Sequence, residues 1–147
     1  MRRVIEIAEL VPDDWARWRE LRLLALTESP DAFSSMLGTW ARADEARWRA
    51  RLAEVAYNIV AELDGRAVGM ASGVDGDEIE LISLYVAPEA RGKGVGDALV
   101  RAIVEWAGTR PTKLRLYPDN ARALALYTRN GFVPIGIEDG ELAMVRR

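Results

Sequence analysis

The fold is decided by one stretch of the chain, which reads LYVAPEARGKGVG from Leu84 to Gly96. Residues 79–87, which include the start of this stretch, are apolar on both faces of a strand. This pattern predicts a central strand that is covered on both sides. The residues after it are apolar at helical spacing and predict a long helix that Gly108 ends. Between strand and helix, the glycines let the backbone turn sharply and bring several N–H groups close to a ligand.

The loop between this strand and helix predicts a phosphate-binding site. A helix start offers unpaired N–H groups and a partial positive charge, and Arg91 and Lys93 add full charges. A phosphate-loop nucleoside triphosphatase needs Ser or Thr after Gly-Lys, but here Gly94 follows Lys93. A dinucleotide-binding loop has the spacing Gly-x-Gly-x-x-Gly, whereas these glycines fall at 92, 94 and 96. The alternative is a glycine-rich connection without a ligand, which the two cations and the buried strand disfavour.

The pattern outward from this stretch predicts one α/β domain over residues 1–147, because no linker or repeat divides the chain. Period-two and period-3.6 patterns predict six further strands, over 4–9, 57–63, 66–73, 113–117, 132–137 and 141–145. They predict three further helices, over 15–26, 39–55 and 120–130. The element order is β-α-α-β-β-β-α-β-α-β-β, an α/β sandwich built on a mixed sheet.

The composition excludes several kinds of chemistry. The 147 residues include no Cys and no His, so a thiol nucleophile, a disulfide and a Cys-based metal site are excluded, and no metal is expected. A net charge of −3 gives no general attraction to nucleic acid or anionic membranes, and neither is expected as a partner. The N-terminal apolar stretch is too short and too charged for a signal peptide or a membrane span, so we expect a cytoplasmic protein.

The glycine loop resembles the acetyl-CoA loop of the GCN5-related N-acetyltransferase (GNAT) superfamily. That family carries Arg or Gln, two residues, Gly, one residue, then Gly or Ala, which Arg91, Gly94 and Gly96 match. The resemblance implies a mixed, mostly antiparallel central sheet flanked by helices on both faces. It also implies that acetyl-CoA is the co-substrate, bound by its pyrophosphate and its pantetheine arm to the loop and the preceding strand: Leu84, Tyr85, Val86, Arg91, Gly92, Lys93, Gly94, Val95 and Gly96.

A second block, residues 120–132, resembles the family's Asn-x-x-Ala-x-x-x-Tyr-x-x-x-Gly-Phe pattern. Asn120 and Tyr127 are seven residues apart, two helical turns, so a helix places them on one side. By resemblance, Asn120 contacts the cofactor arm and Tyr127 protonates the leaving sulfur. The alternative is a helix cap followed by a Tyr that packs in the core.

Without a Cys to carry an acetyl group, direct attack of an amine in a ternary complex is the economical mechanism. Glu80 is the candidate general base, and we expect it to be buried on the strand face that carries Ile82 and Leu84, which would raise its pKa. The alternative is a carboxylate that pairs with an Arg, and a water then serves as the base. A backbone N–H of Leu84 or Tyr85 is the candidate oxyanion donor.

The acceptor follows no motif, and a small-molecule or peptide amine remains open. Phe33 and Ser34 are candidate substrate residues by position, whereas Trp15, Trp18 and Trp48 fall at helical spacing and are expected in the core. The apolar C-terminal hairpin could pair across a homodimer. The alternative functions are a non-catalytic acyl-CoA sensor and a transferase for hydroxyl acceptors or longer acyl chains.

Overall fold

The computed structural model describes residues 4–28 and 30–147, without the side chains of residues 30–35. These residues form seven strands: β1 (Ile5–Glu9), β2 (Tyr57–Leu63), β3 (Arg66–Val74), β4 (Ile79–Val86), β5 (Thr112–Leu116), β6 (Val133–Glu138) and β7 (Glu141–Arg146). They also form five α-helices: α1 (Trp15–Glu28), α2 (Pro30–Ala41), α3 (Glu45–Glu54), α4 (Val95–Ala107) and α5 (Ala121–Arg129). Short 3-10 turns precede α1 at Pro12–Asp14 and follow β4 at Pro88–Ala90.

The strands form one sheet in the order β1-β2-β3-β4-β5-β7-β6. The β4–β5 pair is parallel and the other described pairs are antiparallel. The predicted α/β class and the mixed, mostly antiparallel sheet are therefore confirmed. The tight hairpin at Asp64 and Gly65 joins β2 to β3, with both residues at positive φ, as its Asp-Gly sequence predicts.

Two apolar layers cover the sheet, one on each face. Along β2, Ile59 and Ala61 pack in the layer that contains α4, whereas Val60 between them packs in the layer that contains α1 and α3. This is the alternation of a strand that is buried on both sides. Trp18 and Trp48 are completely buried in the second layer, so their predicted place in the core is confirmed.

The predicted helix over 39–55 is wrong, because the chain breaks there and forms two helices. Asp44 stands before α3 in an extended conformation, and its carboxylate accepts a hydrogen bond of 2.9 Å from the N–H of Arg47. An N-cap of this kind starts a helix and prevents the preceding one from running through. The helical pattern from Thr39 to Ala41 belongs instead to the end of α2, which the sequence analysis did not predict.

The outer strand β6 exposes three large apolar side chains, Val133, Ile135 and Ile137, each about half accessible to solvent. Since β6 lies at the edge of the sheet, this surface is where the proposed homodimer would form, and the dimer stays a prediction. In the described part of the chain, none of the helices has the length and apolar character that crossing a membrane requires.

Replacing Gly73 with Ala tests the packing of α4 on the sheet. A Cβ at Gly73 would lie 2.7 Å from Cζ3 of Trp106, whose ring is stacked on Tyr57 with centroids 5.0 Å apart. We expect Gly73→Ala to lower the free energy of unfolding by about 1–3 kcal/mol in urea titrations, as overpacking does. Gly38→Ala in α2, where a Cβ meets nothing within 4 Å, is the control and should be neutral or stabilising. Equal stability of the two variants would contradict the described contact.

Candidate active site

The centre of the sheet opens between β4 and β5. The parallel register joins Ile79 to Thr112 and Glu80 to Lys113. Beyond these two pairs, β4 continues along β3 and β5 continues along β7, so the facing edges of the two strands have no strand partner among the described residues. Unpaired backbone N–H and C=O groups at a strand edge form hydrogen bonds with an extended ligand readily. The opening is therefore a natural place for an elongated, amide-containing molecule.

A bulge in β4 marks the point where the strands separate. Ile82 pairs with Ser72 and Tyr85 with Met70, so Ser83 and Leu84 together lie opposite the one residue between Met70 and Ser72. Ser83 has a φ of +57°, in the left-handed region that residues other than glycine rarely adopt. Strained backbone of this kind concentrates at functional sites, where the surrounding structure holds it in place.

The bulge changes which face and which edge the residues of β4 point to. Ile82 lines a cavity beside Trp18, whereas Leu84 packs in the layer of α4, so the expectation that Ile82 and Leu84 share a face is wrong. The N–H of Ala87 donates to the carbonyl of Val68 on β3 at 2.8 Å. Since strand residues alternate between edges, the backbone groups of Val86 and Leu84 are directed to the open edge.

The loop at the end of β4 has the geometry that its glycines predict. Gly92 and Gly94 have φ values of +76° and +87°, and a Cβ at Gly92 would meet nothing within 4 Å. Gly96 is required for close packing instead, because a Cβ there would lie 3.2 Å from Leu126 of α5. Gly94 is the N-cap of α4 and has no side-chain cap within the described chain, so the N–H groups of the first turn are open to a ligand.

The guanidinium of Arg91 does not extend toward the loop glycines. Its Nη2 donates to the carboxylate of Glu28 at the end of α1, and its Nε donates to the carbonyl of Val86 at 3.1 Å. Tyr85 also forms a hydrogen bond with Glu28, and burial followed by this bond raises the pKa of Tyr85. Burial alone would raise the pKa of Glu28, but the bonds from Tyr85 and Arg91 lower it. Arg91 therefore holds β4 to α1, and within the described part of the chain the other cation of the loop, Lys93, forms no ion pair.

A second ion pair fixes the start of α4 to the end of α5. Asp97 accepts two hydrogen bonds from Arg129, at 2.9 and 3.0 Å, and a third from Asn130. The bonds from Arg129 lower the pKa of Asp97. Its negative charge, which would oppose a bound phosphate, is thus neutralised by α5 and held away from the loop.

The two motif residues of α5 differ in burial. Asn120 is exposed and caps the helix, with its side-chain oxygen accepting from the N–H of Ala123 at 3.1 Å. Tyr127 is 7% exposed, and its ring lies edge-on to Phe132 with centroids 5.8 Å apart. Burial raises the pKa of Tyr127, so its phenol stays protonated at neutral pH. Both residues thus have a structural role, and their roles toward a ligand stay predictions.

Glu80 is less buried than expected. Its carboxylate is 38% exposed and lies 3.8 Å from the guanidinium of Arg115 on β5. The expectation of a buried carboxylate is therefore wrong, because Glu80 stands at the last pair before the strands separate, where solvent enters. The contact matches the alternative to a buried general base, a carboxylate that pairs with an Arg.

A buried polar cluster under the bulge was missed by sequence analysis. Arg51 of α3 donates to the side-chain oxygens of Asn58 at 2.9 Å, Ser72 at 3.2 Å and Ser83 at 3.3 Å. Asn58 also accepts from Ser72 and donates to two backbone carbonyls. In the sequence, Arg51 looks like one of several Arg residues on an amphipathic helix, and nothing signals that it points inward. The side chains of Phe33 and Ser34, the predicted substrate residues, lie outside the described residues.

Residues 15–132 match the Acetyltransferase (GNAT) family. An uncharacterized N-acetyltransferase of Methanocaldococcus jannaschii is 32% identical over 99 residues, which are 60% of this chain and 44% of that protein. An L-2,4-diaminobutyric acid acetyltransferase of Nocardia farcinica is 32% identical over 76 residues, 47% of this chain and 39% of that protein. The matched parts thus span less than half the length of these two relatives.

Among solved structures, the PaiA N-acetyltransferase of Thermoplasma acidophilum, in complex with coenzyme A, superposes with a TM-score of 0.79. The superposition covers 98% of this chain and 99% of that chain at 18% sequence identity. At that identity the likeness is one of fold, and it extends over almost the whole of both chains.

Replacing Glu28 with Gln tests the contact between α1 and the loop. The pKa of Glu28 is lowered in the folded protein, so its contribution to stability is present above the unfolded pKa of about 4.3 and is lost as the pH falls through the folded value. We expect wild type to be more stable than Glu28→Gln by about 0.2–1 kcal/mol at pH 7, a difference that shrinks at pH 3. Urea titrations at both pH values measure it. Glu20→Gln, an exposed position on the same helix, is the control, and a difference that grows toward pH 3 would contradict the contact.

Proposed function

The chain belongs to the acetyltransferase (GNAT) family, and we propose that it transfers the acetyl group of acetyl-CoA to a primary amine by direct attack in a ternary complex. The observation that carries this proposal is the opening between β4 and β5, which lies next to the glycine loop at the start of α4. One ligand that is both elongated and phosphorylated can occupy the two features together. Acetyl-CoA supplies an activated acetyl group as a thioester.

The residues of the site fit this co-substrate. The open edge at Leu84 and Val86 offers backbone N–H and C=O groups to the amides of the pantetheine arm, with the carbonyl of Val86 shared with Arg91. The loop of residues 91–96 offers N–H groups and free space at Gly92 to the pyrophosphate, and Lys93 adds a positive charge. Asn120, at the exposed start of α5, is within the same proposed site by the resemblance of its motif.

In the proposed reaction, the neutral amine nitrogen forms a bond to the acetyl carbon and the carbon–sulfur bond breaks. The sulfur leaves with the electron pair of that bond and takes up the proton that the nitrogen loses. The backbone N–H of Leu84, which is directed to the open edge, stabilises the negative charge on the acetyl oxygen, whereas the N–H of Tyr85 is directed to β3. Glu80 or a water bound near it first accepts a proton from the incoming ammonium, which gives the neutral amine. Tyr127 donates its proton to the sulfur and regains one from the product nitrogen.

Release of thiol from acetyl-CoA in the presence of a panel of amines tests this function. The chain contains no Cys, so a disulfide dye reports the coenzyme thiol without background from the protein. The relative from Nocardia farcinica is an L-2,4-diaminobutyric acid acetyltransferase, so amino acids belong in the panel. Amine-dependent release supports the proposal, whereas binding of acetyl-CoA without release by any amine supports the non-catalytic sensor.

Replacing Gly94 with Ala tests the loop as the pyrophosphate site. An L-residue at a φ of +87° costs about 1–2 kcal/mol and moves the N–H groups of the loop. We expect coenzyme A to bind about tenfold more weakly by isothermal titration calorimetry, the loss of one hydrogen bond to a charged group. Gly140→Ala in the β6–β7 turn, at a φ of +81° with open space around it, carries the same strain and should keep full affinity. Equal affinity of both variants would exclude the loop from binding.

Replacing Tyr127 with Phe tests the proton donor. Phe keeps the edge-on contact with Phe132 and removes only the hydroxyl. We expect kcat to fall about 100-fold or more while the affinity for coenzyme A and the Tm stay close to wild type. Tyr57→Phe, at a ring that stacks on Trp106 on the α4 side of the sheet, is the control and should retain kcat. If Tyr127→Phe turns over like wild type, the residue only packs in the core.

A further inference from the structure

A cavity of about 150 Å³ lies on the other face of the sheet from α4, directly beneath the bulge. Its walls come from α1, α2, α3 and β4, and include Trp18, Trp40, Trp48, Arg51, Ile82 and Ser83. A protein cavity of this volume takes up a molecule of about the size of benzene. The cavity is therefore large enough for one small organic molecule that reaches β4 at the bulge.

Three indole rings, those of Trp18, Trp40 and Trp48, line the cavity. Arg51 adds a guanidinium above the Trp18 ring, 5.0 Å from its centroid to the guanidinium carbon. A guanidinium beside these rings favours a ligand with a charged hydrogen-bond acceptor.

Among the described residues that line the cavity, the charged side chains are those of Arg22 and Arg51. The hydrogen bonds of Arg51 go to the neutral groups of Asn58, Ser72 and Ser83. Burial, and then the nearby guanidinium of Arg22, lowers the pKa of Arg51 to about 10. The carboxylate that acts on Arg51 is that of Glu54, which is 65% exposed and paired with Arg47 on the outer side of α3. A partly buried cation in this position is stabilised by an anion that enters the cavity.

We propose that this cavity binds the acceptor and that the acceptor carries a carboxylate, as an amino acid does, which the guanidinium of Arg51 recognises. This inference rests on the proposed acetyl transfer and names the acceptor class for the same site. Oγ of Ser83, at the bulge, lies 3.3 Å from Nη2 of Arg51. One small molecule therefore reaches both: its carboxylate accepts from an N–H of Arg51 that Asn58, Ser72 and Ser83 leave unused, and its amine lies at the bulge where the open edge of β4 begins.

Matched pairs of acceptors test the proposal on the purified full chain. Each L-amino acid of the panel is compared with its own carboxamide, which has nearly the same size but no negative charge. With rates corrected for the fraction of neutral amine, we expect kcat/KM for the best amino acid to exceed that of its carboxamide about tenfold or more. Carboxamides that react as well as the acids would overturn the inference and leave the acetyltransferase intact. Release with another amine of the panel but with neither of these two kinds would overturn the inference alone, whereas release with no amine would overturn the acetyltransferase as well.

Substitution of Arg51 tests whether the preference for acids over carboxamides arises in this cavity. In Arg51→Gln the ratio of kcat/KM between acid and carboxamide should fall to near one. Arg49→Gln, on the exposed side of the same helix where Arg49 pairs with Asp13 and Glu45, should keep the wild-type ratio. Arg51→Lys keeps the charge but lacks the planar guanidinium, and it replaces Arg51→Gln if that variant does not fold. The acid-to-carboxamide ratio of kcat/KM in Arg51→Lys should lie below that of wild type. An unchanged ratio in a folded Arg51 variant would overturn the assignment.

Discussion

The interaction on which the rest of the structure depends is the short parallel contact between β4 and β5. It joins the two halves of the sheet at Ile79 and Glu80 and then gives way to an opening, while β3 and β7 hold the strands on their outer sides. The bulge at Ser83 stands where the contact has ended. As a result, β4 presents side chains to the cavity on one face of the sheet and backbone groups to the opening beside β5. The strand is followed by the glycine loop, which leads into α4.

The cations around this opening are arranged in two ways. Arg91 and Arg129 are held by the carboxylates of Glu28 and Asp97, which connect α1 to the loop and α5 to α4. Such pairs fix the positions of helices and leave little charge for a ligand. Arg51 instead is partly buried and donates to neutral oxygens, and its burial lowers its pKa. A partly buried charge whose hydrogen bonds go to neutral groups costs stability, which fits the proposed role of Arg51 in recognising a ligand.

Much of the fold could be predicted from the sequence, because local patterns dictate it. The two-sided apolar strand, the positive φ values at Gly92 and Gly94 and the cap at Asn120 all follow from residues within a few positions of one another. The family resemblance rests on the same segments. The break between α2 and α3 has a local signal too, since Asp44 is a good N-cap, but the helical pattern on both sides hid it.

The parts of the site that could not be predicted depend on contacts between distant residues. The hydrogen bond between Arg91 and Glu28 joins residues that are 63 positions apart in the sequence, and the one between Arg51 and Ser83 joins residues 32 positions apart. Neither pair has a sequence motif. The bulge at Ser83 also reverses the alternation along β4, so the faces assigned by counting residues fail beyond Ile82. The exposure of Glu80 follows from the opening beside β5, which a pattern along one strand does not reveal.

Hydrogen–deuterium exchange with and without acetyl-CoA tests the central claim most directly, that the open edge of β4 and the adjoining loop form one acyl-CoA site. The account predicts slower exchange of the backbone N–H groups of Leu84 and Val86 and of residues 92–96 when acetyl-CoA is bound, with no change in β1 and β2. Binding that leaves the exchange of these groups unchanged, or that slows exchange at another part of the sheet instead, would contradict it.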